Sequence, residues 1–487
     1  RTSMYVMRVS CPALRDCRLS LRWLPWQNVS ENICLDRESK KMFPLPLTPM
    51  EEYFLRDDRP DYPMTGVCRL RFSGFFDHGH FHAALASVAE RHPLVRATVE
   101  QKRFGTPRWM VTPGRFPAVY WDVAATETGF PPLPFIDLER EIGARFHVVR
   151  RETGHDLIAQ IHHCCSDAQG LVTLLEDLMT EYAQRRGSIE IGAPPRKLEP
   201  ERLLRRGSPM LTGWGFLKML HKQVVGLRGI LRFIRYTPVP LAVRERGADA
   251  PVHGNPLPNP LTFEFNQSET RAIFAEARKA SVNVGDILVR DLFLTIFDWR
   301  RNHSQGNDAD CLRISIPISL RGAADLRMPM ANSFSMIFLD RQANLFPNPH
   351  LLLKSIHEQM RIIKENQLQY TFLLSVALAR KLPGGLSTYT SKDICHASSC
   401  FSNIGTVFAG TMLPRREGRL VICDMELESM DFVLPLRPHM HAAMCSHIYG
   451  GCLRVLINYD PRHISKDDAR DLLEGFIGRI RRTAAAR

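Results

Sequence analysis

The 487-residue sequence predicts an α/β fold made of two successive strand–helix halves. Three observations predict it. An alternating stretch from His155 to His163 runs through a short polar turn into a helix. On that helix Leu171, Leu174, Leu175, Leu178 and Tyr182 share one face. After a proline-rich join, the strand–helix order begins again at Leu261 and continues toward the C-terminus. A content of 44% hydrophobic and 24% charged residues is globular and supplies a large core.

Residues 1–41 have no clear period and are expected to be an upstream extension, disordered or not made, with Met42 as the natural start. Thr48, Pro49, Glu51 and Glu52 read as a helix start: a cap, a proline suited to the first turn, and acids at the positive end. Val67 to Phe72 alternates, with Cys68, Leu70 and Phe72 on one face, and reads as a strand. Asp77 is placed to cap a helix carrying Phe81, Ala84, Leu85 and Val88 toward the core. The helix ends at His92, read as a histidine without chemistry. Gly114 to Pro134 is a proline-rich connection, and 137–150 reads as helix then strand. The next strand delivers His163, and Ser166 or Asp167 caps the helix after it.

The join over 188–260 carries most of its prolines at both ends. Between them, Trp214 to Tyr236 holds Lys218, Lys222, Arg228, Arg232 and Arg235, no acid, and apolar residues at most other positions. That composition reads as a basic amphipathic helix, suited to an anionic membrane surface or to packing with an arginine-rich outer face. In the second half Leu261–Phe265 is a strand and Ser268 caps a helix through Ala280. A helix over Asp286–Trp299 and strands over Leu312–Leu320 and Ser335–Leu339 follow. Residues 349–382 form two helices broken near Gln369, and Cys400–Gly405 begins or crosses a strand. Leu420–Leu427 is a strand, Cys445–Tyr459 a hairpin about Gly450-Gly451, and a last helix runs from Ser465 to Arg481.

The net charge of +13 points to an anionic partner: acidic lipid or a phosphorylated cofactor such as coenzyme A. Nucleic acid is set aside, because zinc-finger spacing, an RNP-like aromatic strand and long Lys/Arg runs are all missing from the sequence. Twelve scattered cysteines without a C-x-x-C pair suit a reducing compartment. No apolar run approaches the ~20 residues of a membrane span, and no secretory apolar region opens the sequence. The expected location is the cytoplasm, with peripheral membrane contact through 214–236.

The chemistry centres on His162-His163-Cys164-Cys165-Ser166-Asp167-Ala168-Gln169-Gly170. The pattern His-His-x-x-x-Asp resembles the signature of the acyl-thioester-dependent acyltransferases. That superfamily includes chloramphenicol acetyltransferase, condensation domains, wax ester synthases and alcohol O-acetyltransferases. Ala168 departs from it, standing where glycine is usual, with Gly170 two residues on. Further likenesses are the helix start near Leu47, Arg91-His92-Pro93-Leu94-Val95-Arg96, Ile318-Ser319-Leu320-Arg321, Asn332, Ser402-Asn403-Ile404-Gly405 and the closing strand Val455–Asp460. The Asp-Phe-Gly-Trp-Gly motif of plant members is absent, which sets that branch aside.

The resemblance implies two chloramphenicol-acetyltransferase-like halves, 42–187 and 261–487, with mixed sheets, an active-site tunnel between them and 188–260 as the crossover. It implies a catalytic set of His163, His162 and Asp167: His163 as general base, His162 orienting the loop, and Asp167 as a structural carboxylate paired with Arg321. Arg321, Asn332, Ser402 and Asn403 are the structural or oxyanion candidates. No permanently bound cofactor is implied; acyl-CoA or an acyl-carrier protein is the co-substrate, and an alcohol, lipid-like, or an amine is the acceptor. The alternatives are a condensation enzyme served by a separate carrier protein, and a silent binding module of the same fold. Zinc at the paired histidines is disfavoured because the i, i+4 spacing is missing and Asp167 is the one nearby acid. A Cys164 or Cys165 nucleophile is disfavoured because adjacent side chains diverge.

Overall fold

The computed structural model describes residues 42–101, 105–126, 129–187, 196–207, 214–242, 260–304, 306–307, 309–391 and 394–485, and side chains within 214–235 from residue 222 onward except 228. The extension expected over 1–41 lies outside these residues.

The described chain opens with β1 (Leu45–Pro46) and α1 (Pro49–Asp57). Thr48 and Glu51 close a reciprocal cap: the Thr48 Oγ1 accepts from the Glu51 N–H at 3.2 Å and the Glu51 carboxylate accepts from the Thr48 N–H at 2.8 Å. β2 (Thr65–Ser73) buries Cys68, Leu70 and Phe72 completely, as their shared parity requires. Asp77 caps α2 (His78–Arg91) by accepting from the His80 N–H, and the four predicted apolar residues face the core. β3 (Ala97–Glu100), β4 (Arg108–Val111) and β5 (Ala118–Tyr120) follow. The helix expected in the first part of 137–150 is instead a single turn, in which the Asp137 carbonyl accepts from Arg140 and Glu141. Pro131, Pro132 and Pro134 precede it and Gly143 follows, leaving too few residues to propagate a helix. β6 (Ala144–Arg150), β7 (His155–His162) and α3 (Ala168–Arg185) complete the first half.

α4 (Trp214–Arg235) lies in the join, and β8 (Pro260–Glu264) ends it. α5 (Gln267–Lys279) is capped by Asn266, not Ser268. The Asn266 side chain accepts from the N–H groups of Ser268 and Glu269, so Ser268 already lies inside the first turn. Then come α6 (Val284–Asn302), β9 (Cys311–Ser319), β10 (Phe334–Gln342), α7 (Pro349–Glu365), α8 (Tyr370–Ala379) and α9 (Gly385–Tyr389). β11 (Ser399–Thr406), β12 (Arg415–Arg416), β13 (Arg419–Ile422), β14 (Met425–Val433), β15 (Ala442–Tyr449), β16 (Cys452–Tyr459) and α10 (Lys466–Ala485) close the fold. The single strand expected over 420–427 is the tight hairpin of β13 and β14, turning at Cys423 with φ +57°. The buried residues betray it: Leu420 and Ile422 share one parity, Met425 and Leu427 the other.

Among the described residues the strands form three sheets. A seven-stranded sheet runs β12-β13-β14-β2-β7-β6-β5, and a six-stranded sheet runs β10-β9-β11-β15-β16-β8. A small sheet, β1-β4-β3, packs at the side of the first. The first large sheet therefore draws three strands from the far end of the chain, with β14 antiparallel to β2. Asp431 on β14, 1% exposed, pairs with Arg69 of β2 and with Arg454 of β16, at 2.6 Å each, and so ties both large sheets together. One apolar core lies around α2, α3 and the seven-stranded sheet, and a second around α6, α10 and the six-stranded sheet. No described helix is long and apolar enough to cross a membrane.

Candidate active site

The site grows from the end of β7. Successive side chains of a strand point to opposite faces, so His162 and His163 separate. His162 is fully buried: its Nδ1 accepts from the Cys164 N–H at 3.1 Å, and its Nε2 lies 3.1 Å from the Asp58 carboxylate. It does not line the cavity; it sits within the turn, where the loop-orienting role expected of it would act. His163 faces the cavity. Its ring stacks on Phe54 of α1, with centroids 4.5 Å apart, and lies 5.4 Å from Phe334 of β10. Burial pulls the His163 pKa below the ordinary imidazole value, against the opposing influence of its own carbonyl and of Asp167. The imidazole is therefore neutral at pH 7 and free to accept a proton.

Asp167 is the helix cap. Its Oδ1 accepts from the Gly170 N–H at 2.8 Å, and Ser166 takes no part in the cap. Its Oδ2 accepts from the Arg321 guanidinium at 2.6 Å and from the Ser333 N–H at 2.8 Å. Arg321 also donates to the Ala331 carbonyl at 2.7 Å. The carboxylate thus joins α3 to the loop between β9 and β10. Asn332, 1% exposed, reaches back and donates to the carbonyls of His163 and Cys164 at 2.6 and 2.7 Å. It holds the histidine loop from behind and is not among the residues that line the cavity. Gly170 explains the displaced glycine. A Cβ there would lie 2.4 Å from the Ser166 Oγ and 2.8 Å from the Ala331 carbonyl oxygen. The close approach of this loop is at residue 170, and Ala168 is tolerated.

The cavity encloses about 170 Å³ and is bounded by both halves. His163, Asp167 and Gln169 meet Arg321, Ser402 and Asn403 along it. Ser402 and Asn403 stand on β11, where the ladder to β15 shifts register between Asn403 and Gly405. Much of the remaining wall is apolar and aromatic: Tyr53, Phe54, Met64, Phe338, Phe372 and Met440. Sequence reasoning missed these, along with Arg437 and His396. Arg437 is bound by Asp57 at 2.5 Å and by the Tyr389 carbonyl at 2.7 Å. Burial pushes His396 down to about 4. Only the helix start that carries Tyr53 and Phe54 gave a local signal; Phe338, Phe372, His396, Arg437 and Met440 come from segments hundreds of residues away from it. Cys164 and Cys165 are fully buried, and burial pushes both thiols well up, so neither is poised as a thiolate. Among the described residues, ligand atoms gather closely enough for a metal at His303, just past the end of α6, and Asp468 and Asp471 on α10.

No protein-family model matches the chain. Two curated Mycobacterium tuberculosis relatives, the uncharacterized proteins MT2362 and Rv2305, are 28% identical over 292 residues, 58% of this chain and 62% of each relative. The match thus spans less than two thirds of their length. Among solved structures, the epimerization domain of the third module of tyrocidine synthetase B superposes with a TM-score of 0.64 at 15% identity, over 91% of this chain and 96% of that one. The first condensation domain of the CDA synthetase gives a TM-score of 0.60 at 13% identity, over 90% and 95%. This is the condensation-domain fold. Polyketide synthase associated protein 5 from Mycobacterium tuberculosis also shares it, with a TM-score of 0.58 at 15% identity over 90% of this chain and 98% of that one. The two-halved α/β architecture expected from the resemblance is therefore present, and in this condensation-domain fold the histidine turn lies on the cavity between the large sheets.

Proposed function

We propose that the chain is an acyltransferase that moves an acyl group from a thioester to a hydroxyl, with His163 as general base. One observation carries the reading: the His163 imidazole faces a largely apolar cavity while Asp167, Arg321 and Asn332 hold its loop in place. In the reaction, His163 takes the proton of the acceptor as its oxygen attacks the thioester carbonyl. The tetrahedral intermediate collapses, the carbon–sulfur bond breaks, and the departing thiolate recovers the proton from His163. No acyl-enzyme is required, because a thiolate is a good leaving group. Proton removal of this kind contributes roughly 10²–10⁴-fold. Ser402 and Asn403 are the donors we assign to the oxyanion, a contribution of about 3 kcal/mol per donor. The apolar wall suits a lipid-like acceptor or acyl chain. Acyl-CoA is the donor we favour, since the basic chain suits its phosphates.

A second reading is favoured by the condensation-domain likeness: the acyl group arrives on a separate carrier protein and the product is an amide or ester. The experiment measures free thiol released from an acyl-CoA panel with alcohols and amines, and product mass in parallel, for the parent and His163→Ala. Thiol and acylated acceptor that depend on His163 support the first reading. Turnover with carrier-bound thioester alone moves the assignment to the second. Ligand binding without turnover of either donor leaves a silent binding module.

A further inference from the structure

α4 presents two unlike faces. Its inner face is anchored. Gln223 donates to the Gln367 carbonyl at 3.3 Å and accepts from the Thr371 hydroxyl at 2.7 Å. At Gly226 a Cβ would come within 3.2 Å of Thr371 and 3.4 Å of Leu368, so the helix sits tight against the start of α8. Farther along, Phe233 packs edge-to-face on Phe338 at 5.0 Å, and the Arg313 guanidinium lies 3.9 Å from the Phe233 ring centre.

Among the described residues, the outer face is apolar and uncovered. Val224 is 64% exposed, Leu227 53%, Leu231 67% and Ile234 72%. These residues recur at spacings of three and four, so they form one stripe along about three turns. Isolated exposed leucines need no explanation, but a continuous stripe on one helix does. The charge of the helix says what fits it. Trp214–Arg235 holds five Lys and Arg and no Asp or Glu, in a chain of net charge +13. A partner protein surface of mixed charge would not call for an acid-free helix, whereas an apolar stripe beside cations matches the interface of an anionic bilayer.

Two of its basic residues, Lys222 and Arg232, hold the carbonyls of Glu365 and Asp340, while Arg235 is exposed next to Ile234. We propose that α4 docks the protein on an anionic lipid surface through Val224, Leu227, Leu231 and Ile234, with Arg235 engaging lipid phosphate. The docking stands on the helix alone and does not depend on the reaction proposed above. It has a consequence for that reaction. Phe338, under Phe233, and Phe372, 5.5 Å from Phe338, both line the cavity of His163. A docked helix therefore lies between the bilayer and the apolar wall of the cavity, which sit about one helix diameter, roughly 10 Å, apart.

The test is cosedimentation of the full chain with vesicles of phosphatidylcholine alone or mixed with phosphatidylglycerol. The mixed vesicles are expected to retain the protein, 0.5 M salt to weaken retention several-fold, and Leu227→Asp/Leu231→Asp to reduce it at least tenfold. Both positions are exposed, so circular dichroism and the melting midpoint should stay at the parental values. Val224→Ser/Leu231→Ser is the gentler second variant, expected to lose retention in part. Protein that stays in the supernatant with mixed vesicles overturns the proposal, as does retention unchanged in both variants. If light scattering finds a dimer that the Asp variant dissociates, with no vesicle binding, the stripe is a self-association face and the proposal falls. Thiol release with a water-soluble acyl-CoA and alcohol is read alongside: its survival in a variant that no longer binds vesicles separates docking from catalysis.

Discussion

The first half of the molecule contributes His163 and Asp167 from one turn between β7 and α3, while the second contributes Arg321, Asn332, Ser402 and Asn403 from loops and strand ends that hold or face that turn. Both halves use the same alternation of strand and helix, yet they do different work. In the first, reactive groups and their cap are nine residues of continuous chain. In the second, the groups that matter are spread from residue 321 to 403 and converge through the sheet. Even the boundary between halves is blurred in space, because β14 pairs with β2 and Asp431 joins both sheets. The difference teaches that one continuous motif supplies His163 and Asp167 to the cavity, while contacts from distant segments of the other half fix the geometry of that motif.

The largest expected effect tests the local side. His163→Ala should lower turnover by about 10³-fold, while the adjacent His162→Ala should act chiefly on stability, since it fills a buried site against Asp58. Steady-state rates and urea midpoints for the two variants separate these effects; equal catalytic losses at unchanged stability would merge the two histidines into one role. Next comes the opposite half. Arg321→Met leaves the largely buried Asp167 carboxylate with two backbone donors and no cation, a loss of about 3 kcal/mol of stability. Chemical denaturation reads it, and Arg321→Lys should recover only part, because the guanidinium also holds the Ala331 carbonyl.

A smaller effect should follow at Gly170→Ala. Alanine favours the helix by up to ~1 kcal/mol, but the new methyl would strike the Ser166 hydroxyl and the Ala331 backbone. The clash should win, for a net loss of roughly 1–2 kcal/mol and a shifted His163 turn. A variant as stable as the parent would show that the two loops can part without cost. The broadest effect, spread over several histidines, is that of pH. His163 is held below its ordinary pKa, so the acid limb of the rate profile should lie below pH 6.5, with full activity at neutrality. Burial also pulls His396 and His447 down to about 4 and His441 to about 3. Between those values and 6.5 the unfolded chain binds protons that the folded chain refuses, so stability should fall as pH drops from 6.5 toward 4. Melting midpoints taken across that range check the sign.

Several features were legible locally. The cap at Asp77, the helix after Asp167, the buried faces of β2 and α3, and the glycine hairpin between β15 and β16 all depend on spacing within a few residues. The likeness carried by the histidine motif, Arg321 and Asn332 led to the right fold, and the structure places Asp167 beside Arg321. What was misread was decided by competition or by distance. Asn266 outcompeted Ser268 as a cap because its side chain reaches two N–H groups. The strand over 420–427 hid a turn that only a change of parity betrayed. The divergence of His162 from His163 follows from strand geometry, but which of them met the cavity depended on where the other half lay.

By itself, then, the amino-acid order determined the elements, their caps and the reactive turn, because those rest on contacts between near neighbours. Tertiary structure alone decided that β14 would cross to the first sheet, that Phe54 and Phe334 would flank His163, that Gly170 rather than residue 168 would need to be small, and that among the described residues one stripe of α4 would be left uncovered. Each of these is set by which distant surfaces come into van der Waals contact, and periodicity along a chain holds no record of that.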